Sequence, residues 1–247
     1  MTALICDILS SMQGILLCGG EGTRCLPLTK ATNKHLLGVN GKFIIDYPIN
    51  TLKNIGCDNI TIVLGGAHYP QVIGYLGDGS RYGLNFNFIL QERALGIAHA
   101  INLCKRFVYN DNNFSVCLGD NWFENPVQWN QNTLRAQITL TDHKNINSFG
   151  VASIDKYNKI VKIEEKPKIL DNNLINKVIS GCYLFTPDFF HYFKESVPSS
   201  RGEFEITEII NRYLKDEMLS YNIIDGLWSD LGSHESIAYI NNYLYNK

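Results

Sequence analysis

Leu17-Cys18-Gly19-Gly20-Glu21-Gly22-Thr23-Arg24-Cys25-Leu26-Pro27-Leu28-Thr29, with Lys34 a few residues on, is the stretch on which the reading of this chain turns. The run before it, Gln13 to Cys18, is short, apolar and bounded by glycines, as a buried parallel strand reads. The glycine loop therefore falls at a strand's carboxyl end, where open α/β sheets place their ligands. Gly19, Gly20 and Gly22 let backbone N–H groups approach an anion, while Arg24 and Lys34 supply a planar fork and a compact charge for phosphate oxygens. A nucleotide is the natural ligand. Two other phosphate loops fit badly: the Walker pattern closes on Gly-Lys-Ser/Thr, and the dinucleotide fingerprint wants a third glycine where Cys25 stands. Taken alone, the stretch also fits a strand and a structural glycine turn with two solvated cations, so the rest of the chain must decide.

A length of 247 residues, 45% hydrophobic and 19% charged, suffices for the core of one α/β domain. We assign residues 1–12 to an amino-terminal extension and 13–247 to a single domain. The formal net charge of −2 and the lack of an arginine stripe interleaved with aromatics argue against a nucleic-acid partner. Seven cysteines, at 6, 18, 25, 57, 104, 117 and 182, have no CxxC spacing and are odd in number, which suggests free thiols and a cytoplasmic address. The apolar run Ala3 to Leu9 lacks a basic flank and is interrupted by Asp7, so it is a poor signal peptide. No apolar stretch is long enough to span a bilayer, which argues against a membrane partner.

Beyond the loop, Phe43 to Asn54 reads as a helix kinked at Pro48, leading to a strand at Asn59–Leu64 and closing a βαβ unit. A helix over Tyr69–Leu76 and a half-buried strand over Asn85–Leu90 follow. Gln91 then ends a strand ahead of Gly96 and an apolar-periodic helix from Ile97. Its amide suits the carbonyl and imide groups of a pyrimidine, although an ordinary helix start fits as well. His99 reads as a surface or packed histidine. Phe114–Leu118 is another buried-strand run, delivering Asp120 where a Mg²⁺ ligand would sit; the competing reading is a plain Asp-Asn turn.

Strands at Ala136–Asp142, Ser148–Ile154, Lys159–Ile163 and Lys177–Phe185 predict an antiparallel addition covering the site. Glu165 and Lys166 end its hairpin. They read either as a solvated strand end or as a carboxylate for sugar hydroxyls beside an ammonium for a phosphate. An amphipathic helix carries Ile206, Ile209, Ile210, Tyr213 and Leu214 on one face, Leu219–Ile224 is a strand, Trp228–His234 a loop around Asp230, and Ser236–Tyr245 a closing helix.

Taken together and in order, these stretches resemble the sugar-nucleotide pyrophosphorylases, and most closely the glucose-1-phosphate thymidylyltransferases in a short form. The matches are Gly19 to Thr29 with Lys34, Gly77-Asp78-Gly79-Ser80, Gln91 with Gly96, Leu118 to Asn121, Phe149-Gly150-Val151, Glu165-Lys166-Pro167, Ser200 to Thr207 and Trp228 to His234. They run from about Gln13 to about Ile237. The resemblance implies a nucleotidyltransferase joining dTTP, or UTP, to a sugar-1-phosphate, with pyrophosphate released. Arg24, Lys34 and Lys166 would be catalytic. Gly19, Gly22, Thr23, Gln91, Gly96 and Asp120 would bind the nucleotide, and Gly150, Glu165, Lys166, Tyr183 and Arg201 the sugar phosphate. Asp120 and Asp230 would hold Mg²⁺.

Three departures bear on base and sugar identity: Gly38 stands where the family has proline, Gln91 is followed by Glu92 where the family has Gln-Pro, and the segment from Asn121 to Phe149 is short. Only Ser236 to Lys247 follow the last matched loop, so the end-product regulation of fuller members is not expected; a homo-oligomer is compatible with the reading. A non-catalytic nucleotide-sugar sensor on the same fold is the rival, disfavoured because the cationic and acidic positions are intact. The expected fold is α/β, a Rossmann-like, mainly parallel sheet flanked by helices, with a smaller antiparallel portion over the active site.

Overall fold

The structure is a computed structural model and describes residues 12–108, 113–130 and 135–247. From β1 (Met12–Cys18) the chain passes through short 3-10 turns to a small hairpin, β2 (Gly38–Val39) and β3 (Lys42–Phe43), and then to α1 (Asp46–Ile55). Strands and helices alternate through β4 (Cys57–Leu64), α2 (Tyr69–Leu76), β5 (Asn85–Leu90) and α3 (Ile97–Leu103). A strand-rich stretch follows: β6 (Phe114–Leu118), β7 (Asn121–Phe123), β8 (Ala136–Thr141), β9 (Gly150–Ile154), β10 (Ile160–Glu165) and β11 (Ile175–Phe185). Two helices, α4 (Asp188–Glu195) and α5 (Ile206–Lys215), precede β12 (Leu219–Ile223), β13 (Trp228–Asp230) and α6 (His234–Tyr245). Met12, counted in the extension above, opens β1, where it pairs with Cys57. Residues 1–11 lie outside the described residues.

β1 is largely apolar, and Gln13, its one polar residue, is buried, because both of its faces are covered. Ile15 and Leu17 point to one side and share a buried cluster with Ala100 and Ile101 of α3 and Ile209 and Ile210 of α5. Leu16 and Cys18 point to the other, against Ile49 and Leu52 of α1 and Val72 and Leu76 of α2. Parallel pairing of β1 with both β4 and β6, and of β4 with β5, gives the order β6-β1-β4-β5 for this half of the sheet. β5 is the edge, and its alternation of exposed and half-buried residues is the one expected.

The expected antiparallel portion is present and grows out of the same sheet. β11 pairs antiparallel with β6, with Cys182 opposite Cys117, and also with β8 and β9; the β9–β10 hairpin forms the far edge. β12 adds to β8 in parallel. Two local expectations are corrected. The helix begins at Asp46 rather than Phe43, which lies in β3, so Pro48 falls in the first turn; its missing N–H costs no intrahelical bond there, and the expected kink has no cause. Trp228–Asp230, read as loop, forms a two-stranded ribbon with β7, Asp230 opposite Asn121. A three-residue strand is too short to show a periodicity.

Asn121 locks that ribbon to the sheet. It is 1% exposed, and its Oδ1 accepts from the backbone N–H of Gly181 in β11 at 3.3 Å and from the indole Nε1–H of Trp228. Asn121→Leu leaves both donors buried without their acceptor, a penalty of about 1–3 kcal/mol for each group. We expect the free energy of unfolding to fall by roughly 2–6 kcal/mol for the two groups together, read as a lower urea midpoint at an unchanged denaturant slope. A midpoint equal to wild type would show that Asn121 is not the lock.

Candidate active site

The glycine loop leaves β1 and folds back on the turn that carries Lys34. Gly22 sits at φ 65°, and a Cβ there would stand 2.8 Å from Thr29 Cγ2 and 2.9 Å from Lys34 Cβ, so only glycine permits the approach. Thr23 and Arg24 occupy the 3-10 turn that follows. Lys34 opens another, capped by Asn33, whose Oδ1 accepts from the His35 N–H at 3.0 Å. Asp120 comes from the neighbouring strand: Gly119, just past β6, donates its N–H to Leu17 O at 2.8 Å, which holds the ends of β1 and β6 side by side. Lys34 Nζ then donates to Asp120 Oδ2 at 2.7 Å, with each side chain 13% exposed.

Burial opposes both charges, and the pair overcomes it. Burial would raise the Asp120 carboxyl, but the Lys34 charge and its hydrogen bond prevail and hold it at about 2. Burial would likewise lower the Lys34 ammonium, and Asp120 keeps it above its ordinary value. His35 beside them is driven down to about 3, by burial first and then by the Lys34 charge, so its ring is neutral at pH 7. Arg24 has a guanidinium 63% exposed that donates to Asp230 Oδ2 at 3.3 Å. The Asp230 carboxyl is raised by burial and next by the charge of Asp120, with Arg24 acting against both. The two acids therefore repel one another on the same rim, a field that a cation relieves. Two carboxylates completed by substrate phosphates and water are a donor set that suits Mg²⁺. Among the described residues no group of three or more His, Cys, Asp or Glu converges on a metal site.

Two cavities meet at Asp120. The narrower, about 210 Å³, is lined by Gly19, Lys34, Gln91 and Gly96; the wider, about 890 Å³, by Thr23, Arg24, Gly150, Glu165, Lys166, Tyr183 and Asp230. Asp120 faces both. At the narrow end the Gln91 N–H donates to Leu64 O at 2.8 Å, and its side-chain Nε2 lies 2.9 Å from His99 Nδ1. Gly96, at φ 96°, lets the start of α3 approach the backbone of Phe204: a Cβ would fall 2.6 Å from Phe204 O.

At the wide end Glu165 accepts from Thr207 Oγ1 at 3.3 Å and from Arg201 at 3.3 Å, and its carboxyl is raised by burial and by the nearby Glu205 charge. Lys166 Nζ is 4.0 Å from Glu165 Oε1 and 48% exposed. Tyr183 is buried in the wall, and burial raises its phenol.

Of the residues expected at the site, two line neither cavity: Gly22, which shapes the loop beside Thr29 and Lys34, and Arg201. Its guanidinium is held at 2.8 Å by Glu205 and stands behind Glu165 as a support. Conversely, Glu203 faces both cavities without having been singled out for it, and Thr207 and Asn121 serve as supports. Glu203 and Thr207 lie within the matched stretch Ser200 to Thr207, but nothing in a loop's sequence says which side chain turns inward. The six described cysteines are all buried and free, and no described helix is long and apolar enough to cross a membrane.

A parallel sheet with a cation-bearing glycine loop and two facing acids at its carboxyl rim is the frame of a nucleotide-handling α/β protein. Residues 13–247 match the nucleotidyl transferase family, and the chain belongs to it. It is 34% identical over 236 residues to the low-salt glycan biosynthesis nucleotidyltransferase Agl11 of Haloferax volcanii, covering 93% of this chain and 65% of that protein's length. A glucose-1-phosphate thymidylyltransferase of Neisseria meningitidis is likewise 34% identical over 236 residues, with 92% of this chain and 80% of that protein covered. Among solved structures, a Bacillus anthracis protein assigned as a glucose-1-phosphate thymidylyltransferase, in complex with a sucrose, superposes with a TM-score of 0.86 at 40% identity and 96% coverage of both chains. A UDP-glucose pyrophosphorylase complexed with UDP-glucose shares the fold, with a TM-score of 0.81 at 23% identity and 95% of this chain covered.

The depressed Asp120 carboxyl has a consequence for stability. A carboxyl at about 2 in the folded protein, against an ordinary 3.8, contributes stability that is fully present above pH 3.8 and is lost as the pH falls toward 2. The size is roughly 2 kcal/mol. Asp120→Asn is expected to be less stable at neutral pH and to lose less on acidification from roughly pH 5 to pH 2 than wild type does. Urea midpoints across that range check it, and parallel pH profiles would refute the assignment.

Proposed function

We propose that the protein is a sugar nucleotidyltransferase that condenses dTTP with a sugar-1-phosphate, glucose-1-phosphate in the first instance, to give a dTDP-sugar and pyrophosphate. An oxygen of the sugar phosphate attacks the α-phosphorus of the triphosphate in line, the bond from that phosphorus to the bridging oxygen breaks, and pyrophosphate leaves with the electron pair. The attacking oxygen is already ionised at neutral pH, so no general base and no covalent enzyme intermediate are required. The observation that carries the reading is the meeting of two cavities at the Lys34–Asp120 pair, one lined by an amide and glycines and the other by a carboxylate and an ammonium.

In this reading the base lies against Gln91 and Gly96, with Gly19, Gly22 and Thr23 offering backbone and hydroxyl contacts to the phosphates. Lys34 stays charged because Asp120 faces it, and it is positioned to neutralise the charge that builds at the reacting phosphate. Arg24, exposed and held by one contact of 3.3 Å, can turn from Asp230 to the leaving pyrophosphate. Glu165 receives sugar hydroxyls, with Gly150 and Tyr183 as neighbours, and Lys166 receives the sugar's phosphate. Asp120 and Asp230 would hold Mg²⁺, which when bound supplies charge neutralisation for the phosphates. UTP is the alternative nucleotide, since a methyl and a 2′-hydroxyl are modest handles for discrimination. Buried free thiols fit a cytoplasmic address.

Pyrophosphate release from each of dTTP, UTP, CTP, ATP and GTP with glucose-1-phosphate tests the proposal. We expect dTTP and UTP to lead. Arg24→Ala and Lys34→Ala should each lower turnover by roughly 100–1,000-fold, the usual cost of one preorganised donor to a developing anion. A purine nucleotide as best substrate would overturn the base pocket, and undiminished turnover in both variants would overturn the phosphate site.

A further inference from the structure

His99 stands one layer behind the narrow cavity. It lies in α3, half-buried, with its ring stacked on Phe204 at 6.3 Å between centroids and 26° between planes, and beside Phe193 at 6.5 Å. Its Nδ1 lies 2.9 Å from Gln91 Nε2. The other amide atom of Gln91, Oε1, faces the glycine loop: a Cβ placed on Gly19 would stand 3.3 Å from it. The Gln91 backbone is already fixed by its bond to Leu64, so the orientation of the side-chain amide is what His99 can decide.

That orientation matters because glutamine alone cannot tell one pyrimidine from another. Its amide carries an acceptor and a donor of nearly equal shape, and a half-turn about the last torsion exchanges them. With one order it pairs with the N3–H and adjacent carbonyl of thymine or uracil. With the other it pairs with the N3 acceptor and the exocyclic amine of cytosine. A cavity lined by a free glutamine would accept both.

We propose that His99 is a positioning residue for base recognition: with its ring proton on Nε2, its Nδ1 accepts one N–H of Gln91, which fixes Oε1 as the acceptor turned to the narrow cavity and so admits pyrimidines carrying an N3–H while rejecting cytosine. This rests on the nucleotidyltransferase reading above. Burial lowers the His99 pKa from its ordinary 6.5, so the imidazole is neutral at pH 7 and keeps one acceptor nitrogen. The stacked phenyl ring of Phe204 holds the imidazole plane, so the lock is passed from α3 to the amide without His99 touching the ligand.

The test is the binding of dTTP and of CTP, by calorimetry, to the full-length protein as wild type, His99→Leu and His99→Gln. Leucine keeps an apolar contact with Phe204 and removes the acceptor; glutamine puts a carbonyl acceptor back. The preference for dTTP over CTP should shrink by roughly 3–10-fold in His99→Leu, the worth of one hydrogen bond, and return for the most part in His99→Gln. In turnover the change should appear in KM for the triphosphate more than in kcat. An unchanged preference in His99→Leu, or an equal loss in both variants, would overturn the role of His99, the latter because packing alone would explain it. A wild type that binds ATP or GTP more tightly than dTTP would instead overturn the base pocket, and this inference with it.

Discussion

The ion pair between Lys34 and Asp120 is the constraint on which the site depends. Each partner is mostly buried and burial acts against both charges; the 2.7 Å contact outweighs it for each. The contact exists because β1 and β6 are parallel neighbours ending on the same rim, with Gly119 bonded back to Leu17. Removing either partner leaves an unpaired buried charge, so the pair couples the fold's stability to the chemistry of the site.

From that pair the electrostatics spread outward. Asp120 repels Asp230, which the β7–β13 ribbon brings opposite Asn121, and Arg24 offsets part of the repulsion from a solvent-exposed position. Glu165 shows the same balance on the sugar side, raised by burial and Glu205 and restrained by Lys166 and Arg201. A site so arranged is strained by its own like charges in the absence of ligand, and a metal-bound polyanion suits its mixture of cations and acids.

Much of the frame was legible because buried parallel strands leave a distinct mark. Gln13–Cys18, Asn59–Leu64 and Phe114–Leu118 are short, largely apolar runs for the reason that helices cover both faces, and each appears as a strand within a residue or two of its expected ends. The loop residues Gly22, Lys34, Gln91 and Asp120 were legible from their place at strand ends. The β7–β13 ribbon was not, because three residues show no period and its strands come from sites a hundred residues apart. Side-chain direction was equally hidden: Arg201 turns to Glu205 and away from the cavities, Glu203 turns toward them, and the partner of His99 is set by how α3 packs against β1, α4 and α5 rather than by any local pattern.

In the proposed reaction one face of the glycine loop takes the base and the other the sugar, with the phosphates crossing between them at Lys34. A crystal structure of the protein soaked with dTDP-glucose and Mg²⁺ tests it most directly. We expect the base against Gln91 and Gly96, the glucose against Glu165 and Gly150, and the diphosphate within hydrogen-bonding reach of Lys34. A nucleotide sugar seated with these ends exchanged, or ordered instead in the separate cavity of about 510 Å³ lined by Asn125 to Asn130 and Asn222 to Asp225, would contradict it.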